Sequence, residues 1–267
     1  MNKPHIIVCL KVVPRPEEVR VDPKTNTLDR ANARNVINPP DMNALEMALA
    51  LGARSGGRVS ILSMGPPFAK DFLLLALAMG ADAAYLLSDR AFGGADTLAT
   101  SYVLAEGIKK IGNFDLILCG EESSDGATAQ VPPGIAEWLD IAQITYAADL
   151  EFSQDCAAVI AKREIRGGYQ RVEARLAAVV SVKVGANEPR FFDFEKLASL
   201  PSDSVTIWSA KDIACDPALI GLAGSPTVVA GLRQLAKPER QREFLKGTPE
   251  EMAKELLEKI LPSLNAT

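Results

Sequence analysis

Short apolar runs alternate with longer segments of helical periodicity along the first half of the chain. The apolar runs, which are typical of buried strands in a parallel sheet, cover residues 6–10, 59–62, 84–87 and 116–119. The segments after them carry apolar residues at helical spacing and predict helices over residues 41–52, 67–79, 97–111 and 130–139. This alternation predicts an α/β fold, in which a mostly parallel, doubly wound sheet carries helices on both faces.

Local signals mark where several of these helices begin. Asp41 follows Asn38-Pro39-Pro40 and is the predicted N-cap of the first helix. Residues 67–79 are so uniformly apolar that the second helix is expected to be largely buried. Residues 248–251 form a capping box with proline at the first helical position. This box predicts a final helix with Met252, Leu256 and Ile260 on one face.

The pattern changes from about residue 143 onward. Apolar or alternating runs at 159–165, 169–176 and 178–182 predict further strands that extend the same sheet. After Pro189 regular periodicity is lost for about thirty residues, which is typical of a functional or interface segment. A small hairpin is also predicted at 19–28. The predicted domains are therefore an α/β domain at 1–190, a loop and linker at 191–225, and a C-terminal arm and helix at 226–267.

Composition narrows the chemistry that the chain can perform. Its 267 residues include 29 Lys and Arg against 34 Asp and Glu, and a net charge of −5 argues against nucleic-acid binding. There is one histidine, His5, and none of the four cysteines forms a CxxC pair, so we expect neither a metal site nor a Ser-His-Asp triad. We expect His5, just before the first strand, to be structural, and we assign no catalytic residue. The apolar runs are too short for a signal peptide or membrane insertion, which predicts a cytoplasmic protein.

Small polar loops follow the predicted strands, where ligands bind in sheets of this kind. The strongest candidate is 120–130, because its small residues, hydroxyls and amides before a helix suit a phosphate. A plain surface loop with an N-cap explains the same residues equally well. The loop at 91–100 has the same character and the same ambiguity. Neither a G-x-G-x-x-G nor a Walker A sequence is present, which disfavours ordinary dehydrogenases and P-loop NTPases.

Several segments, in order along nearly the whole chain, match one known family. They are Val8-Cys9-Leu10-Lys11, Asn38-Pro39-Pro40-Asp41, Met64-Gly65-Pro66-Pro67, residues 76–82 and 115–120, Arg163-Glu164-Ile165 with Gly167-Gly168, and Asn187-Glu188-Pro189-Arg190. With these motifs the chain resembles the β subunit of electron transfer flavoprotein. The resemblance implies an adenine nucleotide α-hydrolase-like fold and a heterodimer with an α subunit that carries an electron-transferring FAD.

The resemblance also implies a second nucleotide in this subunit. In one branch of the family it is a structural AMP, and in the electron-bifurcating branch it is an FAD that accepts hydride from NADH. The contacts carried over to this chain are Cys9, Asn38, Met64, Asp96, Thr97, Thr100, Glu122, Ser123, Ser124, Asp125, Gly126, Ala127, Thr128, Ala129 and Gln130. Many of them would act through backbone groups.

The choice between the two branches depends on three segments. Residues 89–101, 125–131 and 224–227 resemble the flavin-binding branch, so we favour FAD over AMP. Bifurcating members commonly have Pro-Asp-Thr near position 14, where this chain has Pro14-Arg15-Pro16-Glu17. That departure argues against the use of NAD more than against flavin binding.

The segment after Arg190 corresponds to the loop with which family members dock acyl-CoA dehydrogenases. Its candidate anchors are Phe191, Phe192, Phe194 and Leu197, and the alternative is that the phenylalanines pack internally. The resemblance thus implies two partners, the α subunit and an acyl-CoA dehydrogenase-type flavoenzyme, and the C-terminal arm and helix are expected to pack on the α subunit.

Overall fold

The computed structural model describes residues 3–15, 34–201, 203–230 and 243–264. The chain divides into two compact units, Met1–Leu232 and Arg233–Thr267. The hairpin predicted at 19–28 lies outside the described residues, as do Pro16 and Glu17.

The first unit contains strands and helices in alternating order. The strands are β1 (His5–Cys9), β2 (Val12–Pro14), β3 (Asn35–Ile37), β4 (Arg58–Met64), β5 (Ala83–Leu87), β6 (Leu116–Gly120), β7 (Ala142–Phe152), β8 (Ala158–Ile165), β9 (Gly168–Arg175), β10 (Ala178–Val182) and β11 (Val205–Trp208). The helices are α1 (Pro39–Ser55), α2 (Ala69–Met79), α3 (Thr97–Ile111), α4 (Val131–Leu139) and α5 (Phe194–Ser199), and the second unit contributes α6 (Pro249–Leu264).

One large sheet organises the first unit. Its strand order is β11-β5-β4-β1-β6-β10-β7-β8-β9, with parallel pairing from β11 to β7 and antiparallel pairing in β7-β8-β9. Alternate residues of β1 face opposite cores: Ile6 and Val8 pack on the side of α1 and α2, and Ile7 and Cys9 on the side of α3 and α4. Burial of both faces explains the continuous apolar runs, and the predicted α/β fold is confirmed.

The structure adds elements that the sequence pattern does not predict. Strand β7 is half-exposed along its 11 residues, so it lacks the apolar run of the inner strands. Within the segment from 191 to 225, α5 forms and β11 pairs in parallel with β5 at the edge of the sheet. Only Val205 of β11 is buried, and an edge strand with so little buried surface leaves a weak sequence signal.

The prediction that Asp41 caps the first helix is wrong. Helix α1 begins at Pro39, its N-cap is Asn38, and no side chain caps it. Asp41 lies in the first turn and is buried, and its carboxylate is used in longer-range contacts. The two prolines shift the start because proline is favoured in the first turn, where its missing N–H costs no hydrogen bond.

In the second unit, the predicted capping box of the final helix is confirmed. The backbone N–H of Thr248 donates to Glu251 Oε2 at 2.9 Å, and the N–H of Glu251 donates to Thr248 Oγ1 at 3.3 Å. Leu256 and Ile260 are exposed on α6. None of the helices in the described ranges is long and apolar enough to cross a membrane.

His5 is the first residue of β1 and is buried at the end of the sheet opposite to the candidate loops. Its Nε2 lies 2.8 Å from Ser60 Oγ and its Nδ1 lies 3.0 Å from Asn113 O. Burial is the main reason why the pKa of His5 falls below its ordinary value of 6.5, and the nearby Arg58 lowers it further. The structural role expected for His5 agrees with this environment.

We therefore predict that acid destabilises the protein partly through His5. In the unfolded chain the imidazole binds a proton near pH 6.5, whereas the folded state resists protonation. The free energy of unfolding should accordingly fall as the pH drops below 6.5, down to the lowered pKa of the folded state. Denaturant unfolding between neutral and mildly acidic pH measures this dependence. The His5→Gln variant should lose less stability over the same range, and parallel pH curves for the two proteins would contradict the prediction.

Candidate functional site

A buried carboxyl group joins the ends of the two central strands. Asp41 Oδ2 accepts the backbone N–H of Lys11, just after β1, at 2.7 Å, and Oδ1 accepts the N–H of Gly120, at the end of β6, at 3.0 Å. Asn38 Nδ2 donates to the same Oδ1 at 3.0 Å. Burial raises the pKa of Asp41 to about 7, and the three donors oppose that shift. The crevice between β1 and β6 is where ligands bind in open α/β sheets, so Asp41 fixes the floor of the candidate site.

Gly120 has to be glycine for this contact. A Cβ at position 120 would lie 2.4 Å from Asp41 Oδ1 and 2.7 Å from Pro40 Cβ. The absence of a side chain lets the end of β6 approach the first turn of α1.

Asn38 ties the loop after β6 to the start of α1. Its Nδ2 donates to the carbonyl of Glu122 at 2.8 Å, and its Oδ1 accepts the N–H of Ser124 at 3.0 Å. Lys11 reaches the same loop, with its Nζ 2.6 Å from Asp125 Oδ1 and 3.3 Å from Ser123 Oγ. The side chain of Asp125 is 8% exposed, so this ion pair is better shielded than an ordinary surface pair. The first half of the predicted loop is thus held at two points.

The second half of the loop presents backbone amides. Ala127 and Ala129 have positive φ angles of 47° and 54°, which alanine rarely adopts. Among the described residues, nothing accepts a hydrogen bond from the backbone N–H groups of Thr128, Ala129 or Gln130. Alternating backbone conformations of this kind form concave sites for anions. Pro132 and Pro133 remove two amides from the start of α4, so the loop supplies most of the donors.

The N-terminus of α3 faces the same loop. Thr97 Oγ1 donates to Gln130 Oε1 at 2.9 Å and joins the two loops that the sequence pattern singled out. Asp96 caps the helix through the N–H groups of Leu98 and Ala99. The other carboxylate oxygen of Asp96 accepts both the N–H and the hydroxyl of Thr227, at 3.1 and 2.7 Å. The carboxylate of Asp96 is therefore occupied by contacts within the protein.

The remaining predicted contacts lie around this edge of the sheet. Met64 ends β4 and is half-buried, and Thr100 lies one turn inside α3. Cys9 ends β1 beside Cys119, and both are buried free thiols, as expected from their apolar runs. Which of these residues contact a nucleotide stays a prediction. Lys11 and Asp41 were absent from the predicted contacts, since their role depends on residues about eighty or more positions away in sequence.

The predicted docking segment exposes part of its aromatic surface. Phe191 and Phe194 are 79% and 67% exposed, whereas Phe192 packs against the core on the α1 and α2 side. The three rings contact one another, with centroids of Phe192 5.3 Å from Phe191 and 4.8 Å from Phe194. Leu197 is half-buried in α5. Internal packing therefore accounts for Phe192, and a docking role for the exposed rings stays a prediction.

Comparison with known proteins assigns a family to this geometry. The family model described as "Electron transfer flavoprotein domain" matches residues 25–212. The electron transfer flavoprotein subunit beta of Clostridium acetobutylicum is 47% identical over 225 residues, which are 84% of this chain and 86% of that protein. The caffeyl-CoA reductase-Etf complex subunit CarD of Acetobacterium woodii is 42% identical over 96% of this chain and 97% of its own. Protein FixA of Azorhizobium caulinodans is 44% identical, with coverages of 84% and 82%.

The chain belongs to the electron transfer flavoprotein family. Membership of this family confirms the resemblance found in the motifs, and the similarity to subunit beta sequences confirms which subunit the chain resembles. The branch that carries FAD in this subunit stays a prediction. Hydrogen bonds join the loop after β6 to the start of α3 through Thr97 and Gln130, and join the end of β6 to Asp41. These elements therefore lie together at the carboxyl edge of the sheet.

We predict that Asp41→Asn destabilises this electron transfer flavoprotein chain. The side-chain amide can accept through one atom only, so at least one of the three N–H donors around Asp41 loses its partner, at a cost of roughly 1–3 kcal/mol. Denaturant unfolding measures the change in the free energy of unfolding. Asp71→Asn is the matched control, because Asp71 occupies the same position in the first turn of α2 but is exposed. Equal effects of the two substitutions would contradict the role assigned to Asp41.

Proposed function

We propose that this chain is the β subunit of a heterodimeric electron transfer flavoprotein that binds FAD at the carboxyl edge of its sheet. Together with an α subunit that carries its own FAD, it passes electrons between an acyl-CoA dehydrogenase-type flavoenzyme and a second redox partner. The complex is expected in the cytoplasm. NADH-dependent electron bifurcation is a further activity that the FAD-carrying branch of the family would allow.

The observation that carries the proposal is the set of backbone amides at Thr128, Ala129 and Gln130, which have no acceptor in the described part of the chain. They face the same edge as the N-terminus of α3, because Thr97 and Gln130 are hydrogen-bonded. Amides and a helix N-terminus together favour the phosphate groups of a nucleotide. The absence of bulky side chains at Gly126, Ala127 and Ala129 leaves the backbone accessible.

The residues present fit a bound flavin nucleotide. FAD would supply reversible electron transfer when bound, and the chain would supply position and charge. The loop amides and the backbone N–H of Thr97 would hold the phosphates, while Asn38 and Lys11 keep the loop in place through the contacts described above. Asp41 would hold the strand ends that form the floor of the site. The chain would thus act as a rigid holder for the flavin.

The relatives support the choice of redox partner. The Acetobacterium woodii relative is named as a subunit of a complex with a caffeyl-CoA reductase. A partner that acts on an acyl-CoA is consistent with the acyl-CoA dehydrogenase-type flavoenzyme proposed for this chain. The exposed rings of Phe191 and Phe194 are the surface that we assign to that partner.

We predict that the purified αβ complex contains two FAD molecules per heterodimer and no AMP. Nucleotides released from the denatured complex can be identified and counted by liquid chromatography with mass spectrometry. One FAD with one AMP would overturn the FAD assignment in favour of a structural AMP. Thr97→Val should lower FAD retention about fivefold through loss of one hydrogen bond. Thr206→Val, the same substitution at an exposed position of β11, should leave retention unchanged.

We also predict that NADH reduces the flavin of this complex slowly. Arg15 stands where bifurcating members commonly have a carboxylate, and Pro16 stands where they commonly have a hydroxyl residue. Flavin absorbance recorded after anaerobic mixing with NADH measures the rate. The double variant Arg15→Asp, Pro16→Thr should be reduced faster than the wild type. Equal rates in the two proteins would show that this segment does not limit NADH use.

A further inference from the structure

Asp96 lies at the candidate nucleotide edge, but its contacts are not those of a group that binds a nucleotide. Its Oδ1 accepts the N–H groups of Leu98 and Ala99, and its Oδ2 accepts both the N–H and the hydroxyl of Thr227. Each carboxylate oxygen therefore already has two donors. A free carboxylate at this place would also repel the phosphates that the neighbouring amides favour. Asp96 thus joins two parts of the chain instead of holding a ligand directly.

The contacts of Asp96 determine which backbone donor of α3 is left for a ligand. The N–H groups of Leu98 and Ala99 are taken by its side chain, and the N–H of Thr100 donates to its carbonyl oxygen at 2.9 Å. The N–H of Thr97 has no acceptor in the described ranges. The hydroxyl of Thr97 is bonded to the loop after β6, which fixes this residue from a second side. One donor therefore remains at the helix end where the dipole favours an anion.

Residues 219–227, here called the strap, lie against the loop that leads into α3. Ile220 of the strap is buried in the core on the α3 and α4 side. Gly221 comes so close to the loop that a Cβ there would lie 2.2 Å from the carbonyl oxygen of Ala91. Its φ of +54° is also one that glycine adopts without strain. Core packing and this close backbone contact together seat the strap on the loop.

Ser225 and Thr227 connect the seated strap to the start of α3. Ser225 Oγ accepts the backbone N–H of Asp96 at 2.8 Å and donates to Gly221 O at 2.6 Å. Thr227 supplies both donors to Asp96 Oδ2, at 3.1 and 2.7 Å. Partial burial raises the pKa of Asp96, but the hydrogen bonds, those from Thr227 foremost, hold it below its ordinary value. The carboxylate therefore keeps its charge, and hydrogen bonds to a charged acceptor are strong.

The strap ends at these contacts. Val228 and Val229, which directly follow Thr227, are 74% and 79% exposed. Thr227 is thus bound to Asp96 at the point where the side chains of the segment become exposed. The link between Asp96 and Thr227 spans 131 positions in sequence, so it depends on the strap being seated.

We infer that Asp96 is a positioning residue for the nucleotide: its carboxylate clamps the strap onto the start of α3 and so directs the N–H of Thr97 at a phosphate group. The inference rests on the proposed function, because that function supplies the nucleotide. A donor that is already fixed loses less conformational freedom on binding, so a seated strap favours the nucleotide. Because coupling between two events is reciprocal, the bound nucleotide favours the seated strap by the same factor.

The Asp96→Asn variant separates the clamp from the helix cap. Asparagine is as good an N-cap as aspartate, so its amide oxygen still accepts the N–H groups of Leu98 and Ala99. Its NH₂ group then faces the two donors of Thr227, which lose their acceptor. One of the two FAD molecules of the αβ complex should dissociate at least about tenfold faster than in the wild type. Gel filtration at intervals, followed by liquid chromatography with mass spectrometry, measures the FAD that is retained.

Asp193→Asn is the matched control. Asp193 is the N-cap of α5 and accepts the N–H groups of Glu195 and Lys196 at 2.8 and 3.0 Å, but its carboxylate has no contact with the strap. The same substitution there should change FAD dissociation less than about twofold.

Thr227→Val is a second variant that spares the fold, because Thr227 is exposed and only its hydroxyl is lost. It should speed FAD dissociation in the same direction as Asp96→Asn but by less, since the backbone N–H of residue 227 remains. In the double variant the two effects should not add, because both remove the same contact. Thermal unfolding of each variant checks that the fold is intact. FAD dissociation at the wild-type rate in both single variants would overturn the inference.

Hydrogen exchange of the strap separates positioning from direct binding. FAD should slow amide exchange in the strap of the wild-type complex, and this protection should be lost in Asp96→Asn. Faster FAD dissociation with unchanged protection would assign Asp96 to the nucleotide itself and overturn the positioning role.

Nucleotide content of the same wild-type preparation tests the proposed function separately. A complex with AMP in place of the second FAD contradicts the proposed FAD site. The exchange comparison is then made with AMP, and protection of the strap that Asp96→Asn abolishes supports the positioning role alone. A complex without a second nucleotide overturns both.

Discussion

The candidate site depends on the buried carboxyl group of Asp41. It holds the chain after β1 and the end of β6, which meet at the point where the connections of the sheet change direction. Burial of the carboxyl is unfavourable, as its pKa of about 7 shows, and the three N–H donors offset part of that cost. Because a Cβ at Gly120 would overlap the carboxylate, this contact also restricts the sequence of the neighbouring strand. The loops of the site begin from strand ends that this contact fixes.

The chemistry of the edge is supplied mainly by backbone groups. The loop after β6 presents the backbone amides of residues 128–130. The carboxylate of Asp96 accepts hydrogen bonds from Thr227 and from the first turn of α3. The single histidine lies at the opposite end of the sheet. Such an arrangement suits a protein in which a bound flavin performs the redox chemistry and the chain controls its position and surroundings.

The sequence allows prediction of those parts of the fold that depend on local patterns. The inner strands were predictable because both of their faces are buried, and the final helix because its capping box lies within four residues. Strand β11 and the half-exposed β7 lack such a pattern. For Asp41, the local rule indicated an N-cap, whereas the contact with Gly120, 79 positions away, decides its role. The positions of the candidate ligand loops could be predicted from the topology, because these loops follow the parallel strands. The partners of Lys11 and Glu121 could be identified only in the folded chain, because they are distant in sequence.

Several non-glycine residues of the first unit have a positive backbone φ, and three of them lie near the candidate site. Ala127 and Ala129 adopt positive φ in the loop after β6, and Tyr146 does so in β7. Each conformation costs free energy, of order 1–3 kcal/mol at a residue that disfavours it, and persists because surrounding contacts fix it. In the loop after β6 this conformation orients amides, and in β7 it orients an aromatic ring. Glu121, which directly follows β6, accepts the N–H of Val184 and pairs with Lys183, so the loop after β6 is connected to the segment that follows β10.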